Sequence, residues 1–467
     1  MLSPASVLDE GQLEAISNTS LRILERVGVT VHEPEALSLL EKAGARVDWP
    51  MSRATIPHRL VSEALCQSSP VVSLYWRDGS RQLEVGGDNV YFGTIGFPTA
   101  VVDWSSGSYR LSPTSADLQE AVRVADMMEN VDFIMPPASL SDCPAGRMDR
   151  HQWMISFLGS EKPIFSQTFG RQGAQAALAM ARALGGKATL SRPFLTFLVS
   201  VTSALTLRED AAETILEGAR AGVPLCIYSG PMAGATSPVT LAGTLAQGNA
   251  EALAGIVLAK VSNPGVPVIY GSWTRAMDMK YANVAFGSPE FALLRVASCQ
   301  LAKHYGLPSA GGGILCDSKV PDAQFAYEKM MTALLPAMAR MNMIVGMGLV
   351  GHENVLSLEG LVIDNEIAGY VRRALQGVSV DEERLAFDLI ERLGPGGQFL
   401  AEDHTLRHFR QELWVPDLTN REGHVLWLQG GSRDIRDRAR ERIQECLSGW
   451  EAPRVPAGAV QEMARFL

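Results

Sequence analysis

Cysteine is scarce in this chain. Its 467 residues hold six, at positions 66, 143, 226, 299, 316 and 446. No two of them form a CxxC pair, so a finger-type thiolate zinc site has no ligand set. Scattered single thiols suit a reducing compartment, and a cytoplasmic protein is expected. Basic runs are missing as well, and the formal net charge is −10. Binding to nucleic acid needs clustered Lys and Arg to neutralise phosphates, so no nucleic-acid partner is expected. Apolar stretches are broken by Gly, Pro or charge before reaching the length of a membrane span, so no membrane is expected either. Residues 1–12 carry acids and lack an apolar h-region, unlike a signal peptide.

What is present is ordinary for a globular protein: 46% hydrophobic and 20% charged residues. The length accommodates an α/β barrel with added segments. Residues 9–28 read as an amphipathic helix carrying Leu13, Ile16, Ile23, Leu24 and Val27, with Ser20 interrupting the stripe. Residues 34–44 and 58–67 read as two more helices. Short β-prone runs follow at 71–76, 82–85, 90–92 and 100–104, split by Asp-Gly, Gly-Gly and Ser-Gly turns. Residues 1–112 therefore read as an α+β elaboration.

After Ser112 strands and helices alternate. Strands are expected at 131–135, 163–167, 194–200, 224–229, 266–271, 307–311 and 343–347. The helices between them are expected at 147–158, 173–184, 211–221, 238–261, 289–305 and 322–341. Helical crossovers imply a parallel sheet. No GxGxxG follows the first strand, and Gly311-Gly312-Gly313 opens no phosphate-cradling helix, so a doubly wound sheet is disfavoured. The expected fold is α/β, a (β/α)8 TIM barrel over 113–379, with 353–358 as its eighth strand. A helical extension covers 380–467, in which 433–447 reads as a solvated helix with paired charges.

Reactive groups of a parallel barrel gather at the C-terminal ends of its strands. Those ends carry Gln167, Thr168 and Phe169; Ser200 and Thr202; Tyr228 and Met232; Tyr270, Trp273 and Arg275; Cys316, Asp317 and Lys319; and His352 and Glu353. Phe169, Tyr228, Tyr270 and Trp273 could share one pocket, with Phe97 reaching in. Converging ring faces suit a quaternary ammonium ion, which has no N–H to donate and is attracted by ring quadrupoles. For a single ring, filling the barrel interior is the plainer reading; Trp273, in the polar string Gly-Ser-Trp-Thr-Arg, stands apart. His352 could hold a substrate carboxylate or simply bond backbone. Cys316 could be a nucleophile with Asp317 and Lys319 beside it, yet a packed, inert thiol is the simpler reading. His404 and His408 sit four apart but lack the Glu of HExxH, so a structural role is expected and no metal site.

Longer strings carry a resemblance. They are Gly230 to Gly243, Gln247 to Glu251, Tyr270-Gly-Ser-Trp273, Tyr305-Gly-Leu-Pro308, Asp317 to Gln324, Val362-Ile-Asp-Asn-Glu366 and Phe399 to Thr405. With them the chain resembles the trimethylamine methyltransferase family, in particular the non-pyrrolysine branch that includes glycine betaine methyltransferases. The resemblance implies a TIM barrel with additions at both ends. It implies transfer of a methyl group from an amine to Co(I) of a corrinoid (cobalamin) held on a separate cognate corrinoid protein. A homo-oligomer is also expected, since such barrels commonly associate. Trimethylamine enzymes carry pyrrolysine near the Asp-Ser-Lys segment, and here Gly311 to Lys319 reads through in standard residues, the replaced position falling within 314–317. A quaternary amine already leaves as a neutral tertiary amine, so a betaine-like donor is favoured.

The expected function is thus a quaternary amine:corrinoid methyltransferase that positions its substrate and has no catalytic side chain of its own. Phe97, Phe169, Tyr228, Tyr270 and Trp273 would hold the cation, with Cys316 and Asp317 beside it and Arg275 or His352 on a carboxylate. Two alternatives stay open: a barrel that binds a betaine without turnover, and a methyltransferase for another methylated donor.

Overall fold

The computed structural model describes residues 4–189 and 191–467, so the first three residues of the expected elaboration lie outside the described residues. Seven strands form one parallel sheet: β1 (Tyr91–Thr94), β2 (Ile164–Ser166), β3 (Leu195–Val201), β4 (Leu225–Ser229), β5 (Val268–Ser272), β6 (Ser309–Gly312) and β7 (Met343–Met347). Their order in the sheet is β1-β7-β6-β5-β4-β3-β2. The strands are almost wholly buried apolar runs, as expected when helices cover a parallel sheet. Two isolated parallel bridges, Gly93 to Phe133 and Ile134 to Ile164, link the two outer strands through residues 133–134.

Three expectations about the strands change. Residues 131–135 form only those two bridges and no ladder. The run at 90–92, expected in the N-terminal elaboration, enters the central sheet as β1, paired with β7. The stretch 353–358 does not join that sheet. Its strand Val355–Ser357 pairs with Ala100–Val102 and Leu349–Val350 in a separate four-stranded sheet. Each of these is a short β-prone run, and nothing within such a run names its partner. Pairing is decided by which edge the rest of the chain leaves free.

Helices flank the sheet. Leu241–Ser262 is buried along nearly its whole length because helix Glu10–Arg26 lies over its outer side. Ser20 is fully buried at that contact: its hydroxyl donates to the carbonyl oxygens of Ile16 and Ala246 and accepts from Asn249. The polar break in the stripe is thus a hydrogen-bonding point between helices. Helix Ile435–Gly449, in the stretch read as a solvated helix, also buries Ala439, Ile443 and Cys446, with helix Leu358–Gln376 packed against it. No helix among the described residues is long and apolar enough to cross a membrane.

Candidate active site

The register of the sheet fixes which side chains share a face. Ser200, Tyr228, Gly271 and Ala310 lie side by side on β3 to β6. Parallel neighbours in register point the same way. A side chain at Gly271 would begin 2.5 Å from Tyr228 Cβ, so the glycine leaves room for that ring. The Tyr228 hydroxyl oxygen accepts a hydrogen bond from Gln167 Nε2 at 2.9 Å. Trp273, one residue beyond β5, donates its backbone N–H to the Ser229 carbonyl and packs on Tyr228. The ring centroids are 4.7 Å apart with an interplanar angle of 55°. Gly312 stands against the indole: a Cβ there would lie 3.2 Å from Trp273 Nε1 and 3.1 Å from Phe291.

Tyr270 does not join them. It is opposed by Ile227 rather than Tyr228, so it points to the other face of the sheet. Its hydroxyl donates to Asn249 Oδ1 at 3.1 Å, within the network that reaches Ser20 and Tyr305. Phe169 is also apart. It caps helix Gly170–Gly185, its N–H donates to Asp149, and it has no ring contact with Tyr228 or Trp273 among the described residues. Cys316 is buried, and burial pushes its thiol up to about 12, which leaves almost no thiolate at neutral pH. The reading as an inert thiol is the one this geometry supports.

Charged groups meet the aromatic pair at the mouth. Arg275 lies beside Trp273 and Gly230 and within electrostatic reach of Glu353. Glu353 keeps part of its surface exposed while its carboxyl group is enclosed by protein. Desolvation raises that carboxyl to about 7, a rise that Arg275 and Arg295 partly offset. Arg295 is fully buried, donating to the carbonyl oxygens of Ser272 and Thr274, and desolvation lowers it to about 9. It braces the turn that carries Trp273 and Arg275. His352 is held between two neighbours, with Nδ1 2.9 Å from Asp317 Oδ1 and Nε2 3.3 Å from Lys319 Nζ. That pairing suits a neutral ring that donates to the carboxylate and accepts from the ammonium. Asp317 also accepts from the Phe286 N–H. A cleft of about 450 Å³ opens here, lined by Phe97 and His352, with Asn283, Glu353 and Asn354 around it. Phe97, His352 and Glu353 all have positive φ, at 77°, 61° and 64°. Such backbone is costly for side-chain-bearing residues and concentrates at working sites.

The family model described as trimethylamine methyltransferase matches residues 1–467. The chain belongs to that family. Among its relatives, a trimethylamine methyltransferase of Desulfitobacterium hafniense is 34% identical over 95% of this chain and 90% of the relative. A glycine betaine methyltransferase of the same species is 33% identical over 97% of this chain and 94% of the relative. In fold, the chain is similar to the monomethylamine methyltransferase of Methanosarcina barkeri, with a TM-score of 0.53 at 12% identity, covering 96% of this chain and 89% of that one.

Of the nine residues singled out in the sequence of this family member, Tyr228, Trp273 and Arg275 converge, and Phe97, Asp317 and His352 stand at the mouth. Tyr270 points to the other face, Cys316 is a buried thiol, and Phe169 makes no ring contact with the pair among the described residues. Sequence reasoning named Glu353 at a strand end beside His352 but gave it no role. It also missed Arg295, whose only signal is a lone cation on an otherwise apolar helix face. His404 and His408 both reach Glu383, away from this site.

Proposed function

We propose that this chain takes a methyl group from a small quaternary amine of the glycine betaine type and gives it to a corrinoid carried by a partner protein. The observation that carries the reading is the Tyr228–Trp273 pair with Arg275 and Glu353 at its rim. Identity does not separate the donors, since trimethylamine and betaine relatives stand at 34% and 33%. The chemistry of the site favours a quaternary head. Ring faces attract a cation that has no N–H, at about 1–2 kcal/mol per good contact. Arg275 is placed to pair with a donor carboxylate, while His352 is already engaged by Asp317 and Lys319. The leaving group is a neutral tertiary amine, so no acid is required, consistent with standard residues throughout 311–319.

The corrinoid, when its carrier sits at the mouth, supplies the methyl acceptor. The open cleft beside Phe97 and Glu353 fits such a visitor better than a closed pocket would. This chain's residues then aim one N-methyl outward and exclude water, so that positioning supplies the rate. The fold is read accordingly as a (β/α)8 barrel whose remaining stave is the segment at Phe133–Ile134, with additions at both ends. That reading draws β1 into the barrel, although it lies within 1–112, and keeps 380–467 as the helical extension. The test is a donor panel with reduced corrinoid, scoring release of the tertiary amine. Dimethylglycine from glycine betaine is the expected product. Saturable binding of betaine without any tertiary amine would leave only a binding protein, and product from trimethylamine alone would reverse the donor choice.

The state of Glu353 gives the reaction a pH dependence. Its carboxyl is raised to about 7, so it is mostly neutral at pH 6 and mostly ionised at pH 8. An ionised carboxylate attracts the donor's cation, so KM should fall about tenfold over that interval. Glu353→Gln should flatten the profile. A KM that rises with pH in the native enzyme would contradict this placement.

A further inference from the structure

The turn that carries Trp273 and Arg275 is held by its backbone from two sides. The N–H groups of Trp273 and Arg275 donate to the carbonyl oxygens of Ser229 and Pro231. The carbonyl oxygens of Ser272 and Thr274 face the other way and accept from Arg295. Successive peptide groups of an extended chain alternate in this manner. Ser272 and Gly311 form the last pair of the β5–β6 ladder, so at its end a guanidinium takes over from the neighbouring strand. Arg295 reaches this point from the buried face of helix Pro289–His304. It also donates to Thr274 Oγ1, and its guanidinium lies 4.8 Å from the centroid of the Phe291 ring. Every one of these hydrogen bonds goes to a neutral oxygen, and Nε has no hydrogen-bond partner among the described residues. A charge taken out of water without a counter-ion is costly. Arg295 nevertheless stays mostly protonated at neutral pH, because desolvation lowers it only to about 9. Glu353 is the carboxylate that acts on it, and Arg275 acts in opposition. Two guanidinium groups thus face one carboxylate, itself only half ionised near pH 7, and negative charge is missing from the mouth.

Resting on the quaternary-donor reading, we propose that Arg295 is a positioning residue that makes the site select zwitterions. The favoured donor is a quaternary ammonium joined to a carboxylate, over a quaternary ammonium alone. Arg295 acts in two ways. Its planar fork spans the two carbonyl oxygens of the turn, which a lysine, a single point charge, cannot do as rigidly. That fixes the separation between Trp273, which takes the ammonium, and Arg275, which takes the carboxylate. Its charge lies behind the same turn and favours an anionic group in front of it. A donor that is only a cation adds positive charge where positive charge is already in excess. A zwitterion brings the missing carboxylate together with the methyl group to be transferred.

Calorimetric binding of glycine betaine and of tetramethylammonium to the native chain, Arg295→Ala and Arg295→Lys tests this, with turnover of both donors on reduced corrinoid. The native chain should prefer glycine betaine about tenfold or more, the worth of one charge-assisted contact. In Arg295→Ala that preference should fall to about threefold or less, and millimolar guanidinium ion should restore it. Arg295→Lys keeps the charge and loses the fork, so it should keep the preference while kcat drops about tenfold for both donors. A merely structural role would weaken both donors alike and leave their ratio unchanged. A folded Arg295→Ala chain with the native preference, or a folded Arg295→Lys chain with native kcat, overturns the inference. Either result leaves the methyl-transfer reading standing, because the native chain still turns over the betaine. Should Arg295→Ala misfold, a fragment measurement on the native chain takes its place. Acetate should tighten tetramethylammonium binding about threefold or more, and no effect of acetate overturns the inference. A native chain that binds neither donor overturns the quaternary-donor reading itself, and this inference with it.

Discussion

Lys329→Met is expected to destabilise the protein by about 3–5 kcal/mol, the usual cost of leaving one partner of a buried ion pair alone. Lys329 and Asp364 have no exposed side-chain surface, and their charged atoms are 2.6 Å apart. Asp364 Oδ2 also accepts the Gly348 N–H at 2.7 Å, while Oδ1 has no hydrogen-bond partner among the described residues. The pair therefore ties helices Ala323–Met338 and Leu358–Gln376 to the end of β7, next to the loop bearing Cys316 and Asp317. Desolvation raises the Asp364 carboxyl to about 6 even with the ammonium beside it. Without the ammonium it must rise further, and the folded state will hold its proton. A raised carboxyl stabilises the fold below its unfolded value and loses that contribution as pH climbs to the folded value. The single variant should thus be hurt less at pH 5 than at pH 8. Lys329→Met/Asp364→Leu should recover most of the loss, because no charge is then stranded. Thermal unfolding midpoints of the three proteins at both pH values provide the check. A single variant as stable as the native protein would mean that the pair is open to solvent.

Trp273→Ala carries the second large expectation. The indole is 4% exposed, rests on Tyr228 and is bounded by Gly312. Removing it should raise KM for a betaine donor about tenfold or more, the loss of one good cation–ring contact. kcat should hold or rise slightly, since the cation's charge disperses as the N–CH3 bond breaks and the ring stabilises the bound state more than the transition state. Trp273→Phe keeps a ring face and should recover most of the affinity. Steady-state kinetics with the donor panel, on protein shown to be folded by circular dichroism, measures both. Native KM in a folded Trp273→Ala protein would remove the residue from the cation site.

The alternation of strand and helix after Ser112 was legible because buried parallel strands are unbroken apolar runs and their helices repeat near 3.6 residues. The strand-end rule named Tyr228, Trp273, Arg275, Asp317 and His352 from position alone, and the fold brings these five to one end of the sheet. It failed at Tyr270. A shift of one residue along a strand reverses the face, and β5, Val-Ile-Tyr-Gly-Ser, has no polar–apolar alternation to give a phase. Phe169 lies beyond its strand, at the start of the next helix, and makes no ring contact with Tyr228 or Trp273 among the described residues. Glu353 was named at a strand end but given no role, because a glutamate beside a histidine in a loop reads as solvated. Only its burial, which outweighs the opposing pull of Arg275 and Arg295, makes it a titrating group near neutrality.

The sequence by itself determined the α/β class, the run of parallel strands, the family and the short roster of residues from which the site is drawn. These follow from periodicity, composition and long ordered strings, all of which are local. Tertiary structure alone decided that residues 91–94 pair with 343–347, that Tyr228 and not Tyr270 meets Trp273, and that Glu353 is enclosed. Those are relations between segments up to about 250 residues apart. They are set by which faces and edges remain free once the body has packed, and no local pattern encodes that.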